Sequence, residues 1–289
     1  MRPYITLLFF SLILFACPLR AEEKLIIKHY QQQDRYEFGL KVLTLALSKL
    51  QYPFEIQTPH TQNVNEKRGE YQVIEGQLDL QWMSTTKARG KDMFPIRIPL
   101  YRGLLGLRLL LAKKERHSQL SKIETIDDLR KYVGGHGRHW GDLPVYQTNN
   151  LPVVTNVNYL KLFRLLIGNR FDYFHRGLNE IWDEQQRYSD QLSIADNIML
   201  FYPHPVYFFV TKSRPLLAKQ IEEGLQIAIQ DGSYRKLFLQ NFGKIIQQGN
   251  LDTRKLIVLK NPVIPKDTKP FDTSWWLPLT FQTQLRDNP

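Results

Sequence analysis

One cysteine, Cys17, occurs in 289 residues, which excludes a disulfide framework and a cysteine-built zinc site. Long apolar runs are also missing. The run at residues 5–16, ITLLFFSLILFA, is uncharged but too short for a membrane span, which needs about 20 apolar residues. There is no G-x-S-x-G elbow, no His-Glu-x-x-His pair and no Gly-Lys-Ser/Thr after a glycine-rich segment, so the common hydrolase, zinc-protease and P-loop signatures are absent. No internal repeat or low-complexity segment is present. What remains is 43% hydrophobic and 23% charged, the profile of a globular chain with a sizeable core. The net charge of +11 favours anionic partners. Its basic residues are scattered, which argues against nucleic acid.

Arg2 followed by the apolar run reads as a secretory signal peptide, with cleavage after Ala21. Residues 14–17, Leu-Phe-Ala-Cys, offer an alternative: a lipid anchor on Cys17, against which stand the bulky Phe15 and the following Pro18. Either route exports the protein, so a periplasmic location is expected. Cleavage after Ala21 also removes the only cysteine and with it any thiol nucleophile.

Strand and helix signals alternate from residue 25 onward. Strands are expected at 25–30, 53–57 and 78–83, and helices at 34–50, capped by Asp34, and 63–74: a βαβαβ series that builds a parallel sheet flanked by helices. Residues 104–112 form a nearly apolar strand long enough to cross between lobes. A second α/β set follows. It has helices at 126–132, 140–149, 159–167 and 178–188, strands at 152–154 and 171–174, and a glycine-rich turn at 134–137. A strand at 207–210 and helices at 215–230 and from Ser233 to Gly243 complete it. Residues 244–289, with Pro262, Pro265, Pro270 and Pro278 and Trp275-Trp276, read as an extended strap. The expected organisation is a signal peptide at 1–21, lobe 1 at 22–112 and 206–243, lobe 2 at 113–205 and the strap at 244–289. Two α/β lobes joined by crossing strands enclose a cleft, where small ligands bind.

Several residues are candidates for that cleft. In Gly134 to Asp142, backbone N–H groups of the turn can hold an anion, with Gly137, Arg138 and Trp140 in contact; the alternative is a plain turn with Trp140 in the core. Tyr30 and Trp82 end strands and can stack on a ligand or fill the core. His136, His139 and Asp142 have a spacing that touches a metal only weakly, and no metal or other cofactor is expected. Arg176 either faces a ligand or pairs with Glu180 four residues on.

The stretch 79–113, DLQWMSTTKARGKDMFPIRIPLYRGLLGLRLLLAKK, resembles the bacterial extracellular solute-binding proteins of family 3, the polar amino acid type. Ser84, Thr86 and Arg89 fall on that family's Ser/Thr-x-Thr-x-x-Arg. Residues 206–243, ending QDGSYRKLFLQNFG, are similar to its return hinge and closing helices. The resemblance implies a two-lobed periplasmic binding protein-like II fold with hinge strands between the lobes, a monomer. It also implies a small anionic ligand, an amino acid or other carboxylate, delivered to an ABC-type permease of the inner membrane. Arg89 would pair with the ligand carboxylate, helped by Thr86 and Ser84. Where amino acid binders carry an acid that holds the amine, this chain reads Arg176-Gly177, with no acid before Glu180. An arginine on each lobe suits a ligand with two anionic groups, or an anion without an amine. Two alternatives keep the fold. One is a ligand-sensing subunit for a membrane signalling protein. The other is a dehydratase of prephenate-like acids, for which Glu180 and His175 are the acid candidates. No catalytic residue is assigned, and the expected role is binding.

Overall fold

The computed structural model describes residues 24–59, 64–266, 268 and 274. The expected signal peptide, Cys17 and the tryptophans of the tail lie outside the described residues. In chain order the first lobe holds β1 (Leu25–Lys28), α1 (Glu37–Ser48), β2 (Phe54–Gln57), α2 (Glu66–Ile74), β3 (Leu80–Ser84), α3 (Lys87–Asp92) and β4 (Phe94–Ile96). The second holds β5 (Leu107–Lys113), α4 (His117–Leu120), α5 (Ile126–Leu129), β6 (Gly134–Gly137), α6 (Leu143–Thr148), β7 (Val153–Asn156), α7 (Tyr159–Ile167), β8 (Tyr173–Gly177), α8 (Ile181–Arg187), β9 (Leu192–Ile194) and β10 (Ile198–Phe201). The chain then returns through β11 (Val206–Val210), α9 (Pro215–Gln230) and α10 (Ser233–Gln248), and ends its described strands with β12 (Lys255–Val258).

Helix faces follow the apolar spacing. Val42, Ala46 and Leu47 lie on the buried stripe of α1, which packs on α9, and Phe38 of the same stripe meets Phe238 and Phe242 of α10. Asn65, Thr125 and Asn158 cap α2, α5 and α7 with their side chains. Asp34 does not cap α1; it opens a 3-10 turn, and the helix begins at Glu37. In lobe 1, β1 pairs β2 in parallel, and β11 lies between β3 and β4, antiparallel to both. Lobe 2 is one seven-stranded sheet in the order β12-β10-β5-β8-β6-β7, with β9 also on β5.

Three sequence expectations change. Residues 134–137 form β6, a fully buried strand between β7 and β8, rather than a turn. A Cβ at Gly135 would sit 2.3 Å from the Phe171 ring and one at Gly137 2.4 Å from the Trp140 ring, so glycine there makes room for aromatics against the backbone. The strand expected at 104–112 does not cross between lobes. Gly103, at φ 87°, starts a 3-10 turn, and β5 begins at Leu107 wholly within lobe 2. The lobes are joined instead by 97–106 and 202–205. These connections touch, since a Cβ at Gly106 would lie 2.0 Å from the Tyr202 carbonyl oxygen. Finally, the tail is not an extended strap from residue 244. The last helix runs past Gly243 to Gln248, and β12 then joins β10 in parallel at the sheet edge. This makes a third crossing between lobes. Buried Arg254 holds it, donating to the carbonyls of Gly249, Ala195 and Ile198 at 2.7, 2.7 and 3.1 Å. Asn261 Nδ2 donates to the Pro203 carbonyl of the second connection.

Helix contact in lobe 1 depends on close approach at Gly224, where a Cβ would lie 2.1 Å from the Ala46 carbonyl oxygen. Gly224→Ala is expected to lower stability by about 1–3 kcal/mol through overpacking. Gly243→Ala, in open space on α10, is expected to raise it by about 0.5–1 kcal/mol. Thermal unfolding of both variants checks the opposite signs.

Candidate functional site

The end of β3 presents lobe 1 to the cleft. Thr85 N–H donates to the Pro205 carbonyl of the return connection, and Thr86 Oγ1 caps α3 by accepting from Arg89 N–H at 3.2 Å. Arg89 then lies one turn in. Its Nε and Nη2 donate to the two oxygens of Glu70 at 2.7 and 3.1 Å, and Nη1 to the Ser84 carbonyl at 2.7 Å. A guanidinium carries five N–H groups. Two of Arg89's, one on each Nη, have no acceptor among the described residues, on a fork whose orientation is already set.

The floor of the cleft is a polar network that joins both lobes. Ser84 Oγ and His204 Nε2 share a hydrogen bond of 2.9 Å. Tyr202, two residues before His204, donates its hydroxyl proton to Asp142 Oδ2 at 2.5 Å and accepts from Arg108 Nε at 2.8 Å. Arg108 Nη2 reaches Asp142 Oδ2 at 3.2 Å, and His136 Nε2 lies 3.3 Å from the other oxygen. Burial pushes His204 down to about 4, so its ring is neutral at pH 7. Burial by itself raises the Asp142 carboxyl, but His136 and Arg108 outweigh it and hold the group well below the usual carboxylate range. Burial likewise raises Tyr202, which stays a hydroxyl donor.

The other expected contacts are placed differently. Trp82 is buried with its indole flat on α1, where a Cβ at Gly39 would meet it at 2.2 Å. Tyr30 is buried on Gly69 of α2, and its hydroxyl donates to Gln81. Both are core of lobe 1 rather than stacking platforms. Arg176 is buried and committed: it donates to Glu184 from Nε and Nη2, pairs with Glu180 Oε2 at 3.0 Å, and lies 4.9–5.4 Å from the rings of Phe174, Trp140 and Tyr159. A paired guanidinium between aromatic faces is a structural cation of lobe 2. Trp140 stacks parallel to Phe174 over Gly137, which leaves Gly137 without a free surface for a ligand. Arg138 is exposed at the rim.

His136 is fully buried whereas His139 is exposed, so these two do not meet, and no group of three His, Cys, Asp or Glu among the described residues is arranged to hold a metal ion. His175 is fully buried and stacked on Tyr146 at 3.9 Å, out of reach of a solute, whereas Glu180 stands half-exposed at the rim. Arg108, Tyr202 and His204 escaped the sequence reading. Their signals were a lone arginine inside an apolar strand, which must find a buried partner, and a histidine set between Pro203 and Pro205.

No protein-family model matches the chain, and no curated protein does. Solved structures do. The probable amino-acid ABC transporter extracellular-binding protein YtmK of Bacillus subtilis is 16% identical with a TM-score of 0.57, the match covering 77% of this chain and 98% of that one. YckB, also of Bacillus subtilis, is 19% identical with a TM-score of 0.54, covering 82% and 96%. The VFT2 domain of Bordetella pertussis BvgS is 15% identical with a TM-score of 0.51, covering 75% and 92%. At such identities the likeness establishes the fold: this chain has the two-lobed α/β architecture of periplasmic binding proteins. No described helix is long and apolar enough to cross a membrane.

Three histidines give this fold a pH dependence. Burial lowers His29 and His204 to about 4, from 6.5, and holds His175 well below 6.5. Below 6.5 the unfolded chain binds protons that the folded one refuses, so stability is full above that pH and falls as pH drops toward 4. Each group contributes at most about 1.4 kcal/mol per pH unit in that window. Melting temperature is expected to fall between pH 7 and pH 4.5, and His204→Gln to flatten the slope; an unchanged slope in the variant refutes the assignment.

Proposed function

We propose that this protein is a periplasmic solute-binding protein that captures a small carboxylate between its two lobes and hands it to an inner-membrane importer. The observation that carries the reading is the Arg89 fork. It is aligned by Glu70 and by the Ser84 carbonyl, and two N–H groups remain to grip a carboxylate in its own plane. Ser84 adds a hydroxyl at the hinge side and Thr86 holds the backbone of α3 in place. Binding draws lobe 2 toward this edge by rotation about the two connections, and a membrane partner reads the closed form. The amino-acid ABC transporter binding protein that shares the fold supports an importer as that partner. A signalling partner would read the same closure.

The charge pattern favours capture over chemistry. His175 is walled off by Tyr146, and Asp142 is held ionised by His136 and Arg108, so neither serves as a proton donor to a solute at pH 7; Glu180, the other acid candidate, is half-exposed and paired with Arg176.

The test is a thermal-shift screen of the full secreted chain against amino acids, mono- and dicarboxylates, keto acids and sugar acids. A true ligand at 100 times its dissociation constant stabilises by about 2.7 kcal/mol, a shift of several degrees. Arg89→Ala is expected to abolish that shift while unfolding at the same temperature without ligand. Wild-type affinity in Arg89→Ala for the identified carboxylate would overturn the proposal.

A further inference from the structure

A second incompletely satisfied cation lies on the cleft floor. Arg108 gives one N–H from Nε to Tyr202 and one from Nη2 to Asp142. Its Nη1 stands 3.8 Å from Glu180 Oε2, beyond hydrogen-bond reach. Of its five N–H groups, three therefore lack an acceptor among the described residues, although the side chain is only 12% exposed. Nη1 is not fully enclosed, so an incoming anion can reach it.

The space beside Nη1 is kept open by the residue opposite. Gly177 faces Arg108 across the β5–β8 ladder, and a Cβ on it would come within 2.7 Å of Asn179 Oδ1, 3.0 Å of Arg108 Nη1 and 3.1 Å of Glu180 Oε2. Two of the three acids around this opening are fully engaged: Asp142 accepts from Tyr202 and Arg108, and Glu184 accepts from Arg176 and Tyr159. Glu180 is half-exposed and pairs with Arg176 through Oε2. An anion entering here would complete Nη1 of Arg108.

We infer that Arg108 is a ligand contact of the cleft and that the solute carries two anionic groups, one for the Arg89 fork and one for Arg108, as a short dicarboxylate does. This inference rests on the proposed binding function and narrows it to a ligand class and a specificity-determining residue.

Isothermal titration of the full secreted chain compares three sets of equal chain length: dicarboxylates (succinate, glutarate, adipate), their monocarboxylate counterparts, and zwitterions such as glutamine. A dicarboxylate of fitting length is expected to bind about tenfold or more tightly than its monocarboxylate counterpart. Arg108→Gln should erase that difference. Because Arg108→Gln also strips Asp142 of a partner, Gly177→Asp provides a second variant. Gly177 lacks a positive φ, and an added Cβ would meet only side-chain ends, with Asn179 Oδ1 at 2.7 Å having to shift, so an aspartate carboxylate can be set beside Nη1 from within the protein. It should lower dicarboxylate affinity to the monocarboxylate level in a variant that still unfolds cooperatively. Tighter binding of a zwitterion than of any dicarboxylate, lost on Glu180→Gln and kept in Gly177→Asp, overturns this inference and leaves the binding function standing. No binding of any set by the folded wild type overturns both.

Discussion

The ion pair between Arg108 and Asp142, closed by the Tyr202 hydroxyl, is the constraint around which the molecule is arranged. Arg108 is the second residue of β5, the central strand of lobe 2; Asp142 precedes α6 at the lobe rim; Tyr202 begins the return to lobe 1. One contact therefore ties a sheet, a rim loop and a hinge. Charges removed from water in this way are tolerated only when paired and hydrogen-bonded, and loss of one partner leaves the other uncompensated, at about 3–5 kcal/mol. His204 extends the network to Ser84 and so to the other lobe. The geometry of the cleft floor is thus set by electrostatics, while the lobes around it are set by apolar packing.

That packing has a recurring device, a large ring laid flat on a glycine backbone. Trp82 lies on Gly39, Tyr30 on Gly69 and Trp140 on Gly137. Each pair joins a helix to a strand or a strand to its own loop more closely than any side chain on the glycine would allow. The device explains why aromatics at strand ends, which look like ligand platforms in a linear reading, are structural. It also explains why a glycine-rich stretch became a buried strand: the rings of Phe171, Tyr173 and Trp140 occupy the volume that β6 leaves empty.

The chain beyond α10 adds a constraint of its own. By pairing β12 with β10 and bonding Asn261 to the Pro203 carbonyl, it ties the C-terminal segment to lobe 2 and to a hinge connection. A third crossing narrows the rotations open to the lobes, since any motion about residues 97–106 and 202–205 must also be accommodated at 249–254. The cleft and the tail are mechanically linked through this segment.

Periodicity and apolar patterning alone determined the α/β class, the alternation of strands and helices, and the division into two lobes, because these follow from which faces must leave water. The motif around Ser84, Thr86 and Arg89 could be picked out only through its resemblance to family 3; it is local, with the cap and the arginine within one helical turn. Tertiary structure decided the rest. Arg176 and Arg108 look alike in sequence, one charge each in an apolar strand, yet Glu184 and Glu180 hold the first among aromatic rings, whereas the second is shared between Asp142 and Tyr202 with Gly177 beside its Nη1. Such outcomes depend on partners distant in the chain, 34 residues away for Asp142 and 94 for Tyr202. How each buried charge is partnered is a property of three-dimensional neighbours, and no one-dimensional pattern encodes it.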